Sequence, residues 1–236
     1  MTIDQQLAEW WLTNLETSAR FDAPWVADAV AWLIEASGRS EGSGPQRVLD
    51  VGCGAGRLTL WLAPRVKHVT GLDRDAVAIR DARRLAGAAR LSNVEFHEAD
   101  VEWEEYDRWQ PDLVTTHLCA SDAIIERSGR ALAPGQCLAM VAFHVEQWKE
   151  TGKVSRFAYD EARIERALRF HGFAPEVIEV EREVTRFASV EQGLAAAVGL
   201  EDKWRVDGRW FRYVAFLEEG GRTLTRAHLI VKARRS

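Results

Sequence analysis

The chain has 236 residues, 47% of them hydrophobic, with a formal net charge of −5 and an isoelectric point near 5.8. That apolar content excludes a disordered chain, and the acidic balance argues against a broad electrostatic footprint for nucleic acid. No apolar run reaches membrane-spanning length, no basic region precedes an apolar run, and Cys53, Cys119 and Cys137 form no C-x-x-C pair, so the expectation is a cytoplasmic protein with reduced thiols and no metal site.

In chain order, Leu7, Trp10, Trp11 and Leu15 recur at helical spacing, and a second helical pattern runs from Ala23 to Ala36. The stretch from Ser37 to Pro45, rich in Gly and Ser, is a short linker, so residues 1–44 are expected to form a helical cap and 45–236 the main domain. Next comes Arg47-Val-Leu-Asp-Val-Gly-Cys-Gly-Ala-Gly56. Val48, Leu49 and Val51 suit a central strand, and Gly52, Gly54 and Gly56 let the backbone turn tightly and approach a ligand. A helix should follow from Arg57, too apolar at Leu58, Leu60, Trp61 and Leu62 for a surface position.

A dinucleotide fingerprint would need glycine where this chain has Arg57, and Asp50 places an acid where a pyrophosphate binder avoids one. The ligand facing this turn should be cationic or zwitterionic, and S-adenosylmethionine fits. A second strand over Lys67–Asp73 ends in an acid. Beyond it the pattern predicts a helix over Asp75–Ala89, a strand from Val94 leading to Glu98-Ala-Asp-Val101, a strand over Pro111–Leu118, a helix over Ser121–Leu132 and a strand over Leu138–Phe143. Such alternation favours a parallel sheet with right-handed crossovers and ligands at the carboxyl ends of the strands. A helix over Asp160–His171, a strand over Ala174–Phe187, a helix opened by Ser189 with Gln192 three residues on, and a final strand over Ala227–Lys232 complete the pattern.

The segment from Val48 to Gly56 resembles the D-x-G-x-G-x-G motif of class I S-adenosylmethionine-dependent methyltransferases. Asp73, Glu98–Val101, Pro111–Leu118 and Arg130–Gln136 follow in that family's order, with Gln136 in place of a usual second glycine. The resemblance implies an α/β fold: a Rossmann-like seven-stranded, mostly parallel sheet with helices on both faces, an antiparallel last strand, a helical insertion at about 189–219 and an N-terminal helical lid. Trp10, Trp11, Arg20 and Trp25 are lid candidates, or core and surface residues. The implied cofactor is S-adenosylmethionine, held by Asp50, Gly52, Gly54, Gly56, Asp73, Arg74, Asp100, Val101 and His117, with Asp73 on the ribose and Asp100 on the adenine amino group.

The expected reaction is methyl transfer to oxygen or nitrogen of a small organic molecule. An RNA-modifying methyltransferase and a cofactor-binding module without catalysis are the alternatives. His117 and His144 lie past strands four and five, where either could act as general base or be a hydrogen-bonded rim residue. Asp122 and Glu126 could be paired acids or simply complement a helix start, and Tyr159 is a further pocket candidate. The loop after strand four lacks the Asn/Asp-Pro-Pro-aromatic motif of amino-methylating nucleic-acid enzymes, and Cys119 follows leucine, unlike the proline-cysteine nucleophile of cytosine-5 methyltransferases. Between Lys203 and Tyr213 basic and aromatic residues interleave, either as a nucleic-acid platform or as a substrate-cover helix with a buried stripe.

Overall fold

The computed structural model describes residues 47–236. The expected N-terminal cap and linker, with Trp10, Trp11, Arg20 and Trp25, lie outside the described residues.

Strand β1 (Arg47–Val51) leads through the glycine turn into helix α1 (Arg57–Leu62), followed by β2 (His68–Asp73), α2 (Ala76–Ala88), β3 (Val94–Glu98), β4 (Leu113–His117), α3 (Asp122–Ala131) and β5 (Cys137–His144). A two-residue strand, β6 (Ala158–Tyr159), precedes α4 (Glu161–Phe170) and the long β7 (Phe173–Arg186). Helices α5 (Val190–Ala197), α6 (Glu201–Asp207) and α7 (Arg209–Glu218) separate β7 from β8 (Thr223–Arg235). The sheet order is β3-β2-β1-β4-β5-β8-β7. Strands β1 to β5 pair in parallel, and β8 runs antiparallel to both neighbours. The mixed sheet expected from the sequence is therefore present, with β6 as an addition too short to show a period.

Alternation along β1 sets the layers. Leu49 and Val51 face a core shared with Ile124 and Ile125 of α3 and Ile164 and Leu168 of α4. Val48 faces the opposite layer with Leu58, Trp61 and Leu62 of α1. Helix α2 buries Ile79, Ala82 and Leu85 against Phe96, Cys53 and Leu60. Both faces are covered, as a central parallel strand requires.

Side-chain caps fix the helix starts. Asp75 accepts from the Val77 and Ala78 amides, Ser121 from Ile124, Asp160 from Arg163 and Ser189 from Gln192. Gln136 rebuilds the turn that a glycine would make: its Oε1 accepts from the Ala133 N–H at 2.6 Å, and its own N–H donates to the Ala133 carbonyl.

The insertion has its own core. Trp204 and Tyr213 are fully buried and pack with Trp148, Trp210 and Leu217. The Trp148 and Trp204 rings meet edge to face at 5.2 Å, and Trp204 meets Tyr213 at 5.6 Å. The Glu150 carboxylate ties this layer to β8, accepting from the Thr223 and Thr225 hydroxyls and the Thr225 N–H.

Candidate cofactor and active site

The glycine turn is fastened to the end of β2. The N–H groups of Gly52 and Cys53 both donate to the Leu72 carbonyl, at 2.8 and 2.9 Å, and the Gly54 N–H donates to Asp73 Oδ2 at 2.7 Å. The other Asp73 oxygen accepts from the Asp75 N–H at 2.9 Å. Gly52 has φ +75°, and an added β-carbon would lie 2.5 Å from Cys119 Cβ. Only glycine satisfies both conditions there.

A cavity of about 190 Å³ opens beside this turn. Gly52, Asp73 and Arg74 come from the β1 and β2 ends, Asp100, Val101 and Glu102 from the segment after β3, and Leu118, Cys119, Ala120 and Ile124 from the approach to α3. Arg156 and Phe157, ahead of β6, complete it. The wall after β3 is held by buried Tyr106, whose hydroxyl donates to the Val101 carbonyl at 2.6 Å, and by Arg127, whose Nε donates to the Glu102 carbonyl at 2.8 Å. Leu118 sits at φ +59°, its N–H donating to the Val141 carbonyl. A left-handed leucine is strained, and here the strain falls on a cavity wall.

These residues fit the nucleoside end of S-adenosylmethionine. The carboxylates of Asp73 and Asp100 supply acceptors for hydroxyl and amino donors, while Val101, Leu118, Ala120, Ile124 and Phe157 supply an apolar enclosure for a base. The volume is below the roughly 300–1,000 Å³ of a complete drug-sized site, which suits one half of the cofactor.

The other candidates lie elsewhere. Asp50 is buried on the α1 side of β1, where its carboxylate accepts from the Thr59 hydroxyl at 2.5 Å. Burial pushes its pKa from an ordinary 3.8 up to about 7, against the opposing pull of the Thr59 hydrogen bonds. The folded protein then holds a proton between about pH 4 and 7 that the unfolded chain has released, so this group's stabilising contribution falls as pH rises through that window. His117 has the opposite sign. Burial, then Arg57 and His228, push it from 6.5 down to about 3, so the unfolded chain binds its proton first and stability falls as pH drops from about 6.5 to 3. Asp50→Asn should therefore remove the loss with rising pH between about 4 and 7 and leave the acid-side loss from His117, as read from urea midpoints between about pH 4 and 8. A variant whose midpoints follow the parent's between about pH 4 and 7 refutes this account of Asp50.

Gly56 serves packing: an added β-carbon there would meet Phe96 at 2.9 Å and Ala82 at 3.0 Å. His144 is buried and bonded on both ring nitrogens, Nδ1 accepting from the Glu146 N–H and Nε2 lying 3.3 Å from Glu161. Asp122 accepts from the Tyr159 hydroxyl at 2.6 Å, while Glu126 pairs with Arg130 one turn along α3. The sequence reading missed Tyr106, Leu118, Ile124, Arg156 and Phe157. Only the position of Ile124 on the buried stripe of α3 offered a signal.

A doubly covered sheet with a glycine turn, and an acid at the end of the next strand facing a nucleoside-sized cavity, define a nucleotide-cofactor enzyme domain of Rossmann-like form. Comparison with known proteins identifies which one. A family described as methyltransferase domain matches residues 44–186, so the chain belongs to the S-adenosylmethionine-dependent class I methyltransferases. An uncharacterized methyltransferase of Mycobacterium tuberculosis is 32% identical over 125 residues, covering 48% of this chain and 64% of that protein, so the match leaves about a third of that relative unaligned. The 23S rRNA (uracil(1939)-C(5))-methyltransferase of Methylococcus capsulatus is 48% identical over 60 residues, 25% of this chain and 14% of that protein. Among solved structures, a putative methyltransferase from Bacillus halodurans has a TM-score of 0.62 at 18% identity, covering 88% of this chain and 99% of that one. Geranyl diphosphate C-methyltransferase from Streptomyces coelicolor, solved with S-adenosyl-L-homocysteine, has a TM-score of 0.58 at 14% identity, covering 89% of this chain and 77% of that one. At these identities the two structures establish the fold. No helix among the described residues is long and apolar enough to cross a membrane.

Proposed function

We propose that the protein transfers the methyl group of S-adenosylmethionine to an oxygen or nitrogen atom of a small organic acceptor. The observation that carries the choice of acceptor is the state of the Lys203–Tyr213 stretch. Three of its four aromatic residues, Trp204, Trp210 and Tyr213, are buried while Phe211 is exposed, and its arginines are engaged: Arg205 with Glu201 at 2.8 Å, Arg209 with Asp207 at 3.1 Å, and Arg212 with the Gly152 carbonyl at 3.3 Å. A platform stacks successive bases on several exposed rings beside unengaged cations, and this face presents one exposed ring, Phe211, beside arginines already engaged, which favours a cover.

The bound cofactor would supply a methyl group on a positively charged sulfur. Asp73 would accept from the ribose hydroxyls while it holds the Gly54 N–H, and Asp100 with the Val101 amide would select the adenine edge. Arg74 flanks the same end, and the backbone of Gly52, Gly54 and Gly56 gives close approach. Asp50, buried beneath the turn and bonded to the Thr59 hydroxyl, supports the turn from the α1 side. The protein's chief work is to align the acceptor and exclude water. His144, bonded on both ring nitrogens, positions the β5 end and not a proton. His117, neutral across the physiological range, can accept a hydrogen bond from an acceptor O–H or N–H but retains a proton poorly.

The test separates these roles. His117→Ala should leave S-adenosylhomocysteine affinity unchanged and lower kcat about tenfold, below the 10²–10⁴ of a base matched to neutral pH. The pH–rate profile of the parent should show no limb near 6.5 from this residue. A clear limb there that vanishes in the variant would reverse the assignment. For the acceptor, turnover of small hydroxyl or amine compounds with labelled S-adenosylmethionine supports the reading, and labelling of total RNA without labelling of small molecules defeats it.

A further inference from the structure

We propose that Phe157, backed by the guanidinium of Arg156, stacks on the adenine ring of the bound cofactor and so fixes the nucleoside from outside the four strands that carry the other contacts. The proposal rests on the cofactor reading above.

Strand β4 ends at His117, whose partner on β5 is Val141, yet β5 continues to His144. Strand β6 takes the place that β4 vacates: Ala158 and Tyr159 pair in parallel with Phe143 and His144. The chain just before β6 is thereby laid across the carboxyl end of β4, where Leu118, Cys119 and Ala120 line the cavity. This is why Arg156 and Phe157, nearly forty residues downstream of Leu118, belong to the same wall.

The segment is held in place and not draped. The Phe157 N–H donates to Ser155 Oγ at 3.3 Å, and the Ala158 N–H to the Ser155 carbonyl at 3.0 Å, closing a tight turn. The Tyr159 hydroxyl bonds Asp122 at the start of α3, and Arg163 donates to the Ala158 carbonyl at 3.0 Å. Helix α3 in turn supplies Ile124 to the cavity. The Arg156 guanidinium lies 4.0 Å from the Phe157 ring centroid, and no carboxylate among the described residues engages it.

An aromatic ring with a cation on it, next to the acids expected to take the sugar and the base edge, matches a purine chemically. The base offers a π face to the ring, and the guanidinium can lie against either face. Leu118, Ala120 and Ile124 supply apolar surface but no ring, so among the described residues Phe157 is the aromatic partner that the cavity contains.

Calorimetry with S-adenosylhomocysteine and with adenosine tests this on the full chain. Phe157→Ala should weaken both ligands by the same factor, about tenfold, the scale of one lost base–aromatic stack. Phe157→Leu keeps apolar volume without a ring and should bind as weakly as the alanine variant, whereas Phe157→Tyr should stay within about twofold of the parent. Arg156→Ala should cost about twofold to fivefold, as for an exposed cation–aromatic contact. Parental affinity in Phe157→Ala, or full rescue by leucine, overturns the proposal, because the side chain would then be a spacer or no contact. If the parent itself fails to bind S-adenosylhomocysteine, the cofactor reading falls and the proposal falls with it.

Discussion

Replacing Asp73 by alanine is expected to lower the affinity for S-adenosylhomocysteine about tenfold to a hundredfold. The carboxylate has two tasks. Facing the cavity, it is the acceptor proposed for the ribose hydroxyls. Facing the backbone, it holds the Gly54 and Asp75 N–H groups at 2.7 and 2.9 Å, and so sets both the glycine turn and the start of α2. Hydrogen bonds to a charged group contribute about 1.5–3 kcal/mol, which converts to the stated range. Calorimetry on Asp73→Ala and Asp73→Asn separates the tasks. The amide keeps one acceptor oxygen for the Gly54 N–H but sets an NH2 against the Asp75 N–H, so the asparagine variant should unfold between the alanine variant and the parent and still lose affinity. An alanine variant that binds as tightly as the parent would remove Asp73 from the site.

The second large effect falls on stability. Gly52→Ala combines a left-handed backbone at φ +75° with a β-carbon driven into the Cys119 side chain. The backbone cost is about 1–2 kcal/mol and the overpacking about 1–3 kcal/mol, so a loss of about 3 kcal/mol is expected. Gly54→Ala is the matched control. It has the same backbone class, φ +54°, but no heavy atom lies within 4 Å of the added carbon, so only the backbone cost of about 1 kcal/mol applies. Urea unfolding measures both. Adding Cys119→Ala to Gly52→Ala should recover part of the steric cost, a coupling expected only for touching residues. Equal losses at the two glycines would mean that Cys119 yields freely.

The parts of the site readable in the sequence are those encoded locally. β1, its turn, and the acids at Asp73 and Asp100 each stand at the end of a short β-rich run, and their order along the chain is itself a signal. The inward turn of Asp50 was also readable, since residues 48 and 50 share a strand face and Val48 faces α1. What the sequence does not display is made by chain crossings. Strand β6 spans two residues, too few for any period, yet it carries Phe157 to the cavity. The low proton affinity of His117 depends on Arg57 and His228, which meet it only once β4, α1 and β8 assemble. In the Lys203–Tyr213 stretch, composition fits a platform and a buried stripe equally well. Helical phase in α6 and α7 decides, by turning Trp204, Trp210 and Tyr213 inward.

The ends of the insertion meet. Arg186, the last residue of β7, is the register partner of Thr223, the first of β8, and everything between them belongs to α5, α6, α7 and their connections. For the sheet, the whole excursion is a single hairpin loop. Closure entropy rises only with the logarithm of loop length, so the number of residues between these two ends has little effect on the entropy of closing the ladder beneath. The length of that excursion is thereby uncoupled from the register of the strands beneath it.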